Sequence, residues 1–420
     1  MNHNLTTTHG TRLKMSHPTV DTQIDTQIDN RIDPHVEPHI GTQIDTRIDT
    51  LFLSEPEMIA AGVKDMNACV DTMEEVFSCL GVDNYRMAGQ NNNSHGAMVS
   101  FPESSPHPNM PLDGTDRRFM AMPAYLGGSF NRAGVKWYGS NVANREHGLP
   151  RSIHTFILND ATTGAPLAIM SANLLSAYRT GAVSGVAARF LAKEDAQVAG
   201  IIGPGVMGKT ALAGFAAARP SLNTLKIKGR GKKSLDDFIS WTKATLSQFT
   251  TITVVDTIEE AVQGSDVVSV CTTSSAGVEN YPMIAPEWIS PGTLLTFPGC
   301  ANLDNEYLKS GKVRMVLDNR GLYEAWLEEY APAAFEQVGI IGNKFLEMER
   351  DGEISPGSVA DISQIISGDV PGRTSEEEVF VFSVGGMPVE DVAWASHIYD
   401  KARELGIGTT VNLWETPELV

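Results

Sequence analysis

The chain has only four cysteines, Cys69, Cys79, Cys271 and Cys300, and no two of them are spaced as CxxC. That spacing excludes a paired-cysteine zinc site and a dithiol redox motif, and so low a count argues against a disulfide framework. Cations are scarce as well: 32 Lys and Arg stand against 51 Asp and Glu, a net charge of −19. Such a surface repels phosphate backbones and anionic lipid, which argues against nucleic-acid and membrane partners. No apolar run approaches the roughly 20 residues that span a bilayer, and the N-terminus carries no apolar signal core. The expectation is a cytoplasmic chain. One local absence is sharper: no Asp or Glu occurs between Asp195 and Asp236, in a chain otherwise rich in acid.

At 420 residues the chain is long enough for two domains. Its first fifty residues read differently from the rest. A four-residue unit recurs from Asp21 to Ile48, and it places Ile24, Ile28, Ile32, Val36, Ile40, Ile44 and Ile48 four apart. A period of four drifts around a 3.6-residue helix and makes no straight stripe. Pro34 and Pro38 oppose a helix further. The reading is a disordered low-complexity tail over residues 1–50. Five histidines lie there, His3, His9, His17, His35 and His39, without the spacing of a metal site.

From Leu51 to about Arg179 strands mix with loops. The proline-bearing stretch Met98 to Tyr125 reads as irregular, strands are expected at Ala133–Tyr138 and Ser152–Leu158, and a helix at Leu174–Leu191. Short apolar strands then alternate with helices. Strands are expected at Val198–Ile202, Thr224–Lys228, Thr251–Val255, Asp266–Val270, Thr293–Phe297 and Arg314–Leu317. A helix N-capped by Ser234 is expected from Ser234 to Ser247. This pattern predicts a parallel sheet covered on both faces. Beyond Gly339 the chain looks less regular and ends in a helix at Val389–Leu405.

The loop after the first of these strands reads Gly203-Pro204-Gly205-Val206-Met207-Gly208. A GxGxxG between an apolar strand and a helix is a dinucleotide-binding fingerprint. The first glycine makes the turn, the second admits the pyrophosphate, and the third lets helix and strand close up. Helix N–H groups at Val206 and Met207 then face the phosphates. At the end of the second strand, where an NAD site carries an acid for the ribose, this chain has KIKGRGKKS. Arg230, Lys232 and Lys233 suit a 2′-phosphate, so NADP(H) is favoured and NAD(H) stays open. Thr272 and Thr273 follow another strand, at the carboxyl edge where such sheets bind ligands.

Four longer motifs carry a resemblance. They are MPAYL at Met122 with GVKWYGSN at Gly134, GLPRS at Gly148, SANLLSAYRTGAVSG at Ser171, and the tail FSVGGMPVEDVAWASHIYDKARELGIG. In this order they resemble the ornithine cyclodeaminase/mu-crystallin family. The resemblance implies an α/β fold with a Rossmann-type doubly wound parallel sheet. That domain, expected at 186–345, is inserted in a second α+β substrate and dimerisation domain built from 51–185 and 346–420. It also implies a homodimer. By matching motifs, Arg86 and Arg179 correspond to arginines that clamp a substrate carboxylate, Lys136 to the lysine beside the reacting carbon, and Thr180 to a cofactor-phosphate contact. An arginine fork suits a carboxylate, and a lysine near arginines is pushed towards neutrality. The stretches beginning at Tyr85 and Pro108 resemble a bacterial branch named for a component of tyramine oxidase.

Two positions depart from the family pattern. Met120 stands where cyclodeaminases carry an acid, and Cys300 where they carry an aspartate. The expected activity is therefore NAD(P)-dependent oxidoreduction at the C–N bond of an amino acid, amine or imine, without a metal. The alternatives are ornithine cyclodeamination, or a crystallin-like NADPH-binding protein, or a non-catalytic member of an amine-metabolising complex.

Overall fold

The computed structural model describes residues 46–419. Most of the tetrad repeat and its histidines lie outside the described residues. The first strand among the described residues begins before the expected boundary at residue 50. Ile48, Asp49 and Thr50 open the first strand, β1 (Ile48–Leu53), and Thr50 is buried.

One sheet is mixed. It contains β1, β2 (Tyr85–Met87), β3 (Ala97–Val99), β4 (Arg118–Leu126), β5 (Arg132–Ser140), β6 (Ser152–Asp160) and β7 (Pro166–Ser171). Its eighth strand is the last of the chain, β18 (Thr409–Trp414), which pairs antiparallel with β1. The order is β18-β1-β7-β6-β5-β4-β2, with β3 also on β4. The stretch expected to be irregular thus holds all but the last residue of a nine-residue strand, β4. Its proline is accommodated because β2 pairs with residues from Ala124 onward and β3 with residues up to Ala121. Pro123 lies opposite the gap between them, where a missing N–H costs no ladder bond on that side.

The second sheet holds β8 (Val198–Ile202), β9 (Thr224–Lys228), β10 (Thr251–Val254), β11 (Val267–Val270), β13 (Leu294–Phe297), β15 (Val313–Leu317), β16 (Val359–Asp361) and β17 (Val379–Ser383). A small two-stranded ribbon, β12 (Met283–Ile284) with β14 (Asn302–Leu303), stands apart. The large sheet runs β10-β9-β8-β11-β13-β17-β15-β16, and every pair is parallel. All residues of β11, β13 and β17 are buried. Fully buried apolar runs are what a sheet covered on both faces requires. The expected return to the other domain at residue 346 comes too early. The strands β16 and β17 both belong to the parallel sheet, and β17 lies inside it, between β13 and β15. The helix expected from Ser234 runs instead over Lys232–Thr245 with Gly231 as its N-cap, and Ser234 Oγ donates back to the Gly231 carbonyl at 2.8 Å.

Two helices join the sheets. Asn173–Leu191 crosses Val206–Ala218 closely, because a Cβ on Gly181 would stand 2.3 Å from the Thr210 backbone, and one on Gly214 2.3 Å from Gly181 O. Pro388–Leu405 leaves the end of β17 and packs across β4, β5 and β6. Among the described residues no helix is long and apolar enough to cross a membrane.

Candidate active site

The parallel sheet reverses its strand order between β8 and β11. Ligands of such sheets bind outside the carboxyl ends at that point. A cleft of about 940 Å³ lies there, lined by Gly203, Pro204 and Gly205 after β8 and by Cys271 to Ser275 after β11. Gly203 has φ +102, and a Cβ there would meet Cys271 O at 2.8 Å; one on Gly208 would meet Gly203 O at 2.3 Å. A Cβ on Gly205 would meet no atom of the described residues within 4 Å. The first and third glycines are thus required by the fold itself, while the second faces open space in the cleft, where a pyrophosphate fits.

Among the described residues, the cleft lining contains Lys228, Arg230, Arg145 and Arg151 and no acid. In a chain of charge −19 this suits an anionic ligand. Lys228 donates to the Asp256 carbonyl and Arg151 pairs with Asp116. Arg230 is exposed at the cleft. Lys232 is turned to Asp236 at 2.6 Å, and neither it nor Lys233 lines the cleft. Thr272 and Thr273 both line it, and Thr272 Oγ1 is buried without a hydrogen-bond partner among the described residues. Val206 is exposed and Met207 partly buried in the first helical turn, and neither lines the cleft. Thr180 does not line it either; its hydroxyl donates to the Ser176 carbonyl at 2.8 Å. The residues present fit a dinucleotide.

A second, drier constellation sits on the inner face of the mixed sheet. Lys136, on β5, is 2 % exposed, and Arg179, on the helix Asn173–Leu191, is 4 % exposed. Lys136 Nζ donates to Asp391 Oδ2 at 2.8 Å and to Ser176 Oγ at 3.1 Å. Arg179 Nε donates to Asp391 Oδ1 at 2.9 Å, and its Nη1 to Glu390 Oε2 at 2.5 Å. Both acids lie in the first turn of Pro388–Leu405. Asp318, just beyond β15, fixes the approach to that turn by accepting from Gly385 N at 2.6 Å and Gly386 N at 3.3 Å. Tyr323 donates to the same carboxylate at 2.8 Å.

Burial, and behind it Arg179, pushes the Lys136 ammonium down to about 8. Burial also raises the Asp391 carboxyl, but Arg179 and Lys136 outweigh it and hold the group below the ordinary range. Glu390 is pushed up to about 7 by burial against the pull of Arg179, and its Oε1 has no partner among the described residues. Burial, and then Lys136, pushes both His95 and His154 down to about 3, so both rings are neutral at pH 7.

Arg86 is not part of this constellation. It pairs with Tyr125 across β2 and β4, while the flanking pairs Met87–Ala124 and Tyr85–Leu126 share the face of Lys136. Strand alternation therefore turns Arg86 to the opposite face, where it is half exposed and paired with Asp83 at 3.1 Å. Met120 is buried with its sulfur 3.5 Å from the Tyr138 hydroxyl. Cys300 is partly buried, 3.9 Å from the Val338 carbonyl, and burial raises its thiol. Among the described residues no cluster of three or more His, Cys, Asp or Glu could hold a metal.

A Rossmann-type sheet with an open glycine loop, together with a buried lysine–arginine pair, defines a dinucleotide-dependent oxidoreductase. The chain belongs to the ornithine cyclodeaminase/mu-crystallin family, whose sequence model matches residues 62–406. It is 28 % identical over 300 residues to N-((2S)-2-amino-2-carboxyethyl)-L-glutamate dehydrogenase of Staphylococcus aureus, covering 71 % of this chain and 82 % of that one. The structure of Thermococcus litoralis Δ1-pyrroline-2-carboxylate reductase, in complex with NADH and L-proline, is similar with a TM-score of 0.69 and 26 % identity, over 86 % of this chain and all of that one. An archaeal alanine dehydrogenase dimer with bound NAD is similar with a TM-score of 0.68 and 27 % identity, over 87 % of this chain and 100 % of that one.

Proposed function

We propose that the chain is an NADP(H)-preferring oxidoreductase of amino or imino acids, and that Lys136 carries the proton. The observation that carries this reading is the Lys136–Asp391–Arg179 bridge beside Ser176. Among the described residues, Arg179 has one guanidinium nitrogen that no acid takes, and Lys136 one N–H beyond its two bonds. The guanidinium nitrogen can hold a substrate carboxylate, and the remaining lysine N–H can face the substrate nitrogen. A nicotinamide cofactor held at Gly203, Pro204 and Gly205 would supply or accept hydride at the carbon bearing nitrogen. With its ammonium near neutrality, Lys136 gives a proton to that nitrogen in reduction and takes one in oxidation. Arg230 at the cleft, whose lining holds no acid among the described residues, supports the NADP(H) preference.

Cyclodeamination is disfavoured in this reading. Met120 and Cys300 present a thioether and a protonated thiol where a carboxylate would shuttle protons for the departing amine. The likeness to the branch named for a component of tyramine oxidase adds primary amines to the substrates to be tested. The reading also includes a homodimer. On the sheet face opposite Lys136, Phe52, Phe119, Trp137 and Ile153 are all at least 40 % exposed, an apolar patch of the kind that pairs.

The test is a panel of 2-oxo acids with ammonium, cyclic imines, amino acids and amines, scored by absorbance of the reduced cofactor. Hydride transfer with a carboxylate-bearing substrate is expected. Proline from ornithine, without net cofactor change, would contradict the reading.

A further inference from the structure

The inner face of the mixed sheet continues past Lys136 as an ordered series of rows. Lys136 pairs with Met122 on one side and Phe156 on the other; Tyr138 pairs with Met120 and His154; Ser140 pairs with Arg118 and Ser152. Side chains two residues apart share a face and stand roughly 7 Å apart along it. The reacting end at Lys136 is therefore followed by a Met120–Tyr138–His154 row, and then by a row that carries a guanidinium.

That last row is not neutral. Arg118 and Arg151 both pair with Asp116, Arg151 at 2.5 Å, and Ser140 Oγ donates to the same carboxylate at 2.5 Å. One carboxylate thus serves two guanidiniums, leaving one positive charge uncompensated within the cluster. Arg151 lines the dinucleotide cleft, and Arg118 does not. Arg118 Nε is buried and lacks a hydrogen-bond partner among the described residues. In the row between, His154 Nδ1 is buried and unpartnered too. Unsatisfied buried polar atoms are uncommon in native folds, and each needs an explanation. Two of them here lie along one sheet face, beside an excess cation and in line with the carboxylate-binding end. A bound acceptor would satisfy Arg118 Nε, and His154 as well in the tautomer that carries its proton on Nδ1.

We propose that Arg118, steadied by Asp116, binds a second carboxylate of the substrate with help from His154, so that this protein acts on amino or imino acids with an acidic side chain or N-substituent. The inference rests on the reading that Lys136 and Arg179 mark the reacting end. The apolar thioether of Met120 covers the stem between the two carboxylates. Asp116 holds the Arg118 fork in place, as a preorganised site requires.

Calorimetry on the protein saturated with NADPH tests this without turnover, because reduced cofactor cannot take hydride from an amino acid. The probes are L-glutamate and L-2-aminoadipate against L-norvaline, which has an apolar side chain. A charge-assisted, forked contact is worth about 1.5–3 kcal/mol, so at least one acidic probe should bind about 10- to 100-fold more tightly than norvaline. Arg118→Met should remove that advantage while leaving norvaline binding within about twofold, a margin well below the effect of such a contact. Arg118→Lys, which keeps the charge without the fork, should restore part of it and controls for folding. Equal binding of acidic and apolar probes, an equal loss for both in Arg118→Met, or no binding of any acidic probe would overturn the proposal. Selective binding without hydride transfer would instead defeat the proposed oxidoreductase activity and leave this subsite standing.

Discussion

Lys136 and Arg179 arrive from a strand and a helix, yet both donate to one carboxylate: Asp391 takes the lysine on Oδ2 at 2.8 Å and the arginine on Oδ1 at 2.9 Å. Asp391 therefore sets the distance between the two cations and keeps them together in a dry site. Burial and Arg179 push the lysine towards neutrality, and Asp391 limits that shift.

Replacing Asp391 tests the bridge. Removing one partner of a buried ion pair leaves the others uncompensated, at a cost of about 3–5 kcal/mol. Asp391→Asn should lower the unfolding free energy in urea by that order. It should also lower the lysine ionisation further, because the carboxylate favours the charged ammonium. A stability loss below about 1 kcal/mol, the value of an ordinary surface pair, would show that the bridge does not anchor the site.

The glycine loop separates binding from folding. Gly205→Val puts a side chain into open cleft space, so the melting temperature should hold while dinucleotide affinity is lost. Gly208→Val drives a Cβ against Gly203 O, 2.3 Å away, so this variant should lose stability first. Thermal melts and cofactor titration of the two proteins check the split; normal cofactor binding by Gly205→Val would contradict the loop assignment.

Cofactor preference depends on the cleft cations. The unmodified protein should bind NADPH more tightly than NADH. Arg230→Asp should cost NADPH about 10- to 100-fold, the worth of a charge-assisted contact, with a small effect on NADH. Fluorescence titration of both cofactors is the check. Equal affinities in the unmodified protein would end the preference.

Truncation should show where the folded body begins. Deleting residues 1–45 leaves β1 whole and should keep the melting temperature. Deleting residues 1–50 also removes Ile48, Asp49 and Thr50, which pair with β18, and should lower it, by about 1–2 °C for each kcal/mol lost at this chain length. Identical melts for the two truncations would contradict the role of those residues.

Much of the parallel sheet was legible because its signals are local. The strands β8 and β9 fall where the apolar runs Val198–Ile202 and Thr224–Lys228 predict, and the glycine loop follows directly. The run Val379–Ser383 has the same buried, unbroken apolar character as β11, but it lies far from the strand series, and only the tertiary fold inserts it between β13 and β15. Arg86 carried a warning in its own triplet. Tyr85 and Met87 flank it on a short strand, and alternation sends the residue between two buried neighbours outward. Asp391 and Glu390 gave no spacing signal at all. Asp391 is 255 positions from Lys136, and an acidic pair after a helix-opening proline reads equally well as favourable charge at a helix N-terminus.

The most direct test of the account is the single-turnover rate of reduced-cofactor oxidation, measured against pH with the best imine or 2-oxo-acid–ammonium substrate, for the unmodified protein and Lys136→Ala. Lys136 holds its proton below about 8, and reduction consumes a proton. The unmodified rate should therefore be full at neutral pH and fall as pH rises through about 8. Lys136→Ala should lose about 10²- to 10⁴-fold at neutral pH, the usual contribution of a general acid, and should lose the alkaline limb, with NADPH binding intact. An unchanged rate in Lys136→Ala, or the same alkaline limb in both proteins, would contradict Lys136 as the proton carrier.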